Sequence, residues 1–144
     1  MTPIDEKRKF ITINIAVLTI SDSRTLKNDT SGDFLVKSIV DLGHLIYDRQ
    51  IIKDEISIIK NIILSWATNS NVDAIITSGG TGLTGRDSTP EAIQSIAEKN
   101  IEGFGELFRQ ISFNKIGTST IQSRALGAVI KGTYIFALPG STNA

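Results

Sequence analysis

The chain has 144 residues, 40% of them hydrophobic, with fifteen Lys and Arg against fifteen Asp and Glu, one His and no Cys. That length supports one domain with a real core, and a cancelled charge without any basic run gives no electrostatic footprint for nucleic acid or an anionic membrane. The missing cysteines exclude disulfides, thiolate catalysis and zinc–sulfur sites, and suit a reducing compartment.

Met1 to Lys9 is polar and charged with no apolar signal core, which predicts a cytoplasmic protein. No apolar run approaches the roughly 20 residues that span a bilayer. Ile11 to Ile20 is β-branched and apolar and reads as a buried strand. Phe34, Leu35, Ile39 and Leu42 then recur at helical spacing, Ser31 or Thr30 is the expected cap, and Gly43 is a fair stop. His44 follows at the turn and reads as a surface residue, not a catalyst. Leu45 to Ile52 is a second strand. Ile56, Ile59, Ile62, Ile63 and Trp66 form a helical stripe that reads as core packing. Asp73 to Thr77 is a third strand.

Ser88 with Glu91 matches a capping box, and Ile93, Ile96 and Ala97 supply the buried face of the helix that follows. Phe104, Leu107, Phe108 and Ile111 predict another helix. Ala125 to Ile130 and Thr133 to Leu138 read as strands joined in a tight hairpin at Lys131–Gly132. Strand and helix alternate, so the expected fold is α/β: parallel right-handed units in a three-layer αβα sandwich, with one antiparallel strand added by the hairpin.

Parallel strands would bring four polar segments to one sheet edge: Ser21–Asp22–Ser23–Arg24, Lys53–Asp54–Glu55, the run after the third strand, and Pro139–Gly140–Ser141–Thr142–Asn143. Open α/β sheets bind ligands at that edge. The run after the third strand, TSGGTGLTGRDSTP, has four glycines, hydroxyl residues, Arg86 and Asp87. Glycines let backbone N–H groups approach an anion, the hydroxyls add donors, and the arginine adds charge, so the loop reads as a phosphate site. Gly80, Gly82 and Gly85 also satisfy G-x-G-x-x-G. The run follows the third strand and not the first, and Pro90 starts the helix too late for a dinucleotide fingerprint. Gly80 and Gly85 have Walker A spacing, but Arg86–Asp87 replaces the lysine and hydroxyl that a P-loop needs. An ordinary connection would be shorter and less polar.

Asp54 and Asp87 come from separate loops of that edge. Beside phosphate donors they suit Mg²⁺, which takes oxygen ligands. Asp54 has a second reading as a helix cap, Asp87 as a partner of Arg86, and Asp22 as a turn stabiliser. The segment Leu26–Gly32 is a lid or a solvated loop. Arg124, with Ser119 and Ser123 before the hairpin, is either a surface charge or a bidentate phosphate grip. Without Cys and with one unpromising His, the remaining chemistry suits phosphoryl or nucleotidyl transfer, where positioning and charge neutralisation dominate.

The runs LTISDSRTLKNDTSG, TSGGTGLTGRDSTPEAI, GFGELFR, GTSTIQSRA and IFALPGSTNA together resemble the MoaB/MogA family of molybdenum cofactor biosynthesis proteins, a fold shared with the G domain of gephyrin. The resemblance runs from about Ile11 to Ala144, and SDSRTLKNDTSG is closer to the MoaB branch than to the MogA branch. It implies Mg-ATP-dependent adenylylation of molybdopterin, in which the terminal phosphate of the pterin attacks the α-phosphate of ATP and pyrophosphate leaves. By position, Gly79, Gly80, Thr81, Gly82, Arg86, Ser119 and Ser123 would hold molybdopterin and its phosphate. Asp54 and Asp87 would be the catalytic acidic pair and hold Mg²⁺. Asp22, Ser23, Pro139, Gly140 and Ser141 would line the nucleotide side. The resemblance further implies a homotrimer or a dimer of trimers, working with other proteins of the same pathway. It also implies a further helix beyond the Pro–Gly–Ser turn, so 1–144 is expected to be a single domain short of that helix, with one sheet face less covered. A pterin-binding carrier without catalysis is the alternative, and a dinucleotide-dependent oxidoreductase is a third reading.

Overall fold

The computed structural model describes residues 5–142. Six strands form one sheet: β1 (Asn14–Ile20), β2 (Leu45–Ile52), β3 (Ala74–Ser78), β4 (Lys99–Asn100), β5 (Leu126–Ile130) and β6 (Thr133–Leu138). Four helices connect them: α1 (Thr30–Asp41), α2 (Ile56–Ala67), α3 (Thr89–Ile96) and α4 (Glu102–Ile116), the last running into a 3-10 helix over Gly117–Gln122. The strand order is β2-β1-β3-β6-β5-β4. β1, β2, β3 and β6 are mutually parallel, while β5 pairs antiparallel with both β6 and β4. Only β5 therefore runs against the rest, as the hairpin predicts. The short β4 escaped prediction because two exposed polar residues carry no periodicity.

Two apolar clusters sandwich the sheet. On one face Ala16, Leu18, Ile20, Ile75 and Ile135 pack against Ile59, Ile63 and Trp66 of α2 and Ile93 of α3. Each buried Ile or Leu contributes about 1.5–3 kcal/mol; of the α2 stripe, Ile59, Ile63 and Trp66 are core and Ile62 packs beside them, while Ile56 at the first turn is exposed. On the other face Ile15, Val17 and Ala74 pack against Ile39 of α1, and Phe104 of α4 lies 4.8 Å from Phe136 of β6, centroid to centroid. Tyr134 on that same face is 53% exposed.

Several boundaries differ from expectation, each for a local reason. β1 begins at Asn14, not Ile11: the Ile13 amide donates to His44 Nδ1 and the Asn14 amide to Asp73 Oδ2, so neither starts a ladder earlier. His44 is thus a structural acceptor at the edge opposite the polar loops, tilted against Phe10. Asp29, not Ser31 or Thr30, caps α1, accepting from the Gly32 amide at 3.1 Å. α3 stops at Ile96, and Ala97 is extended yet still packs on the core. The capping box fails: the Ser88 hydroxyl makes no cap bond, and Glu91 is taken by Arg124. Lys131 and Gly132 both have positive φ, 49° and 79°, the type I′ geometry expected of this two-residue hairpin.

Register sets the site. Thr19 of β1, Ser78 of β3 and Leu138 of β6 stand side by side in the ladder, and Ile20 faces Ile52 of β2. Four strands thus end level at one edge, and the loops that leave them meet there. β5, running the other way, begins at this edge and brings Ser123 and Arg124 with it.

Candidate anion and metal site at the carboxyl edge

The glycine loop leaves β3 through two left-handed residues, Gly79 at φ 97° and Gly80 at φ 66°. A Cβ on Gly79 would sit 2.3 Å from the Ile20 carbonyl oxygen, and one on Gly80 would sit 2.2 Å from Thr89 Oγ1. Both positions therefore demand glycine on conformation and on space. The Gly79 amide donates to Leu138 O at 3.0 Å, and Gly140 packs against Gly79, which joins the Pro139–Gly140–Ser141 turn to the loop. Ser31 Oγ donates to Gly140 O at 2.7 Å and fastens the same turn to α1.

Thr89 secures the inner end of the loop, its amide donating to Gly80 O and its hydroxyl to Gly79 O. Arg124 secures the outer part. Its Nε donates to Thr81 O at 3.1 Å, its Nη2 to Gly82 O at 2.6 Å and to Asp87 O at 3.2 Å, and its Nη1 to the Glu91 carboxylate. Burial pushes the Glu91 carboxyl up, but the Arg124 bond outweighs it and holds the group below its ordinary value. Arg124 is thus not an isolated surface charge: its guanidinium is bonded to the glycine loop and to Glu91.

Asp54 is buried. Its Oδ1 accepts from the Ser88 amide at 3.1 Å and the Ser88 hydroxyl at 2.6 Å. It is not the cap of α2, whose N-cap is Glu55 without a side-chain bond. Asp87 accepts from the Thr84 hydroxyl and does not pair with Arg86. Arg86 reaches across to Asp22, with Nε 2.8 Å from Oδ2 and Nη2 3.0 Å from Oδ1, and approaches Glu55 at 3.9 Å. That bidentate bond holds the Asp22 carboxyl below its ordinary value and raises Arg86. Asp22 Oδ1 also accepts from the Asp54 amide at 3.1 Å. Asp22, Asp54, Arg86 and the glycine loop are thereby one connected cluster.

Donor chemistry favours a hard cation. Asp54 Oδ2 lies 2.9 Å, and Asp87 Oδ2 2.7 Å, from where a Cβ would stand on Gly80 and Gly82. Each carboxylate therefore faces loop backbone bare of side chain. Two carboxylates beside phosphate donors, with water completing the shell, is the usual magnesium arrangement. No group of three or more acidic, His or Cys residues with metal-binding geometry occurs among the described residues.

The remaining candidates scatter more. Ser23 donates its amide to Ser21 Oγ in an exposed turn, and Leu26–Gly32 is bound up by Asn28 and Asp29: the Thr25 amide reaches Asn28 Oδ1 at 2.7 Å. That segment is a tied loop. Ser123 adjoins Arg124, and its buried hydroxyl makes no hydrogen bond among the described residues. Ser119 lies exposed on the 3-10 helix, and no hydrogen bond joins it to the glycine loop among the described residues. Beside Arg124 a cavity of about 540 Å³ is bounded by Pro90, Ile101, Arg109, Ser123 and Leu126. The larger cavity, about 840 Å³ between Ile13, Asp73, Lys131 and Tyr134, sits at the opposite edge, away from every polar loop. Two roles are missed in the sequence: Ser88, read as half of a capping box, binds Asp54, and Thr89, which no local pattern marks, binds Gly79 and Gly80.

Residues 16–144 match the probable molybdopterin binding domain family, and the chain belongs to it. It is 44% identical over 136 residues to molybdenum cofactor biosynthesis protein B of Escherichia coli K12, an alignment covering 94% of this chain and 80% of that protein. A crystal structure of molybdenum cofactor biosynthesis protein B superposes with a TM-score of 0.90 at 39% identity, covering 94% of this chain and 84% of the other. The tungsten cofactor synthesizing protein MoaB from Pyrococcus furiosus superposes at 0.82 with 34% identity, covering 92% and 85%. No helix among the described residues is long and apolar enough to cross a membrane.

Proposed function

We propose that this protein adenylylates molybdopterin at the expense of Mg-ATP in molybdenum cofactor biosynthesis. The observation that carries this reading is the convergence of the glycine loop, Arg86 and two carboxylates from separate loops at one sheet edge. A terminal phosphate oxygen of molybdopterin attacks the α-phosphorus of ATP. The bond from that phosphorus to the bridging oxygen breaks, and pyrophosphate leaves with the bonding pair. Two polyanions meet in this step, so charge neutralisation and positioning supply most of the rate.

The chain's own groups supply these without histidine or thiolate. Backbone N–H groups of Gly80–Gly82 and the Thr81 hydroxyl would take phosphate oxygens. Arg86, released from Asp22, would neutralise charge on the transferring group. Asp54 and Asp87 would hold Mg²⁺, which supplies Lewis-acid polarisation of the phosphates when bound. Asp22, Ser23 and the Pro139–Gly140–Ser141 turn would line the nucleotide side. Ser119 and Ser123 would flank the pterin side, near the 540 Å³ cavity that Ser123 borders. The working protein would be a cytoplasmic homotrimer, or a pair of trimers, serving other proteins of the pathway.

The test is to incubate protein, molybdopterin and Mg-ATP and to identify products. Adenylyl-molybdopterin and pyrophosphate in equal amounts are expected. Pterin that binds and is never adenylylated would instead assign a carrier role.

A further inference from the structure

The carbonyls and amides of the glycine loop are treated very differently. Gly79 O and Gly80 O accept from Thr89, Thr84 O from the Asp87 amide, and Thr81 O, Gly82 O and Asp87 O from Arg124. The N–H groups from Gly80 through Arg86 donate to no group among the described residues. Six of the nine carbonyls from Gly79 to Asp87 are engaged while the amides are left over, and a loop of that asymmetry is polarised toward an anion. Half of that carbonyl capping comes from one side chain, 42 or more positions away in sequence from the Thr81 and Gly82 carbonyls it grips. Arg124 is present because β5, the lone reversed strand, starts at this edge.

We propose that Arg124 is a positioning residue for the phosphate site: its guanidinium draws the Thr81, Gly82 and Asp87 carbonyls to one side and so presents the loop amides to the anion. The role rests on the phosphate reading of the loop. Arg124 acts through backbone, since four of its five N–H donors are spent on the Thr81, Gly82 and Asp87 carbonyls and the Glu91 carboxylate. Only a planar fork with donors on three nitrogens spans three carbonyls and a carboxylate; an ammonium at the same place keeps the charge and loses the span. Glu91, on α3, accepts only from Nη1, while the three carbonyls take Nε and Nη2.

The experiment is a titration with inorganic pyrophosphate, followed by calorimetry and by the ¹H–¹⁵N resonances of Gly80–Arg86, in wild type, Arg124→Lys, Arg124→Ala and Glu91→Gln. In wild type the loop amides should move on binding. Arg124→Lys and Arg124→Ala should both bind about tenfold or more weakly, with the loop amide shifts dispersed even before ligand is added. The deficit of Arg124→Lys should persist at high salt, since it is not a screened charge effect. Glu91→Gln, which keeps the arginine on its three carbonyls, should stay within about twofold of wild type. Affinity restored by lysine would overturn the role by making Arg124 a charge only. A loss in Glu91→Gln as large as in the arginine variants would also overturn it, and that arm remains readable if an arginine variant does not fold. Wild-type loop amides that ignore pyrophosphate would overturn the phosphate site together with this role, whereas moving amides with a normal Arg124→Lys would overturn the role alone.

Discussion

Asp54 and Asp87 are held differently, so their variants should fail differently. Asp87 is half-exposed, and among the described residues its side chain bonds to Thr84 alone. Asp87→Ala should keep its thermal midpoint while adenylyl transfer falls by about 10²-fold or more, the scale of losing one electrostatic stabiliser. Asp54 is buried and serves both the amide and the hydroxyl of Ser88. Asp54→Ala should lose turnover and also about 1–3 kcal/mol of stability, because the Ser88 amide loses its acceptor. Urea unfolding of the two variants separates these outcomes. Gly80→Ala should cost roughly 2–4 kcal/mol from the left-handed backbone and the overlap with Thr89. The buried Asp29 makes a pH prediction. Burial pushes its carboxyl up, but the Thr19 hydroxyl at 2.7 Å and Arg49 at 3.0 Å prevail and hold it below its ordinary value of 3.8. Its stabilisation is therefore complete above about pH 4 and lost as pH falls through the lower folded value. Acid unfolding curves of Asp29→Asn should lack this component.

At the scale of elements, the Lys131–Gly132 turn carries a local conflict. Lys131 sits at φ 49°, a conformation that disfavours most side chains and tolerates Asn. Lys131→Asn should raise the thermal midpoint by roughly 3 °C, measured calorimetrically, without touching the site at the other edge. The long elements were legible because apolar residues recur at fixed spacing, as in Ile59, Ile63 and Trp66 of α2. β4 was not, because Lys99–Asn100 joins the sheet through the β5 ladder alone. The site followed the same divide. Its loops were legible because parallel strands deliver their ends together and because glycine, Asp and Arg mark them. The wiring was not: Ser88 resembles a cap and instead binds Asp54, Asp87 stands next to Arg86 while Arg86 turns to Asp22, and Asp29 outcompetes its hydroxyl neighbours for the cap of α1. Each choice depends on a partner 10 to 64 residues away, beyond any local pattern.

For the whole molecule, one reversal of strand direction organises the chemistry. β1, β2, β3 and β6 bring Asp22, Asp54, the glycine loop and the Pro139 turn to one edge, and the reversed β5 adds Arg124 to it. The opposite edge holds His44 and the 840 Å³ cavity without any of these groups. The proposed reaction joins a pterin phosphate to the α-phosphate of ATP at this edge. The most direct measurement is pyrophosphate release from Mg-ATP with and without molybdopterin, in wild type and in Asp87→Ala. Release should require molybdopterin, match adenylyl-molybdopterin mole for mole, and disappear in the variant. Equal release by Asp87→Ala, or wild-type protein that binds the pterin and releases no pyrophosphate, would contradict it.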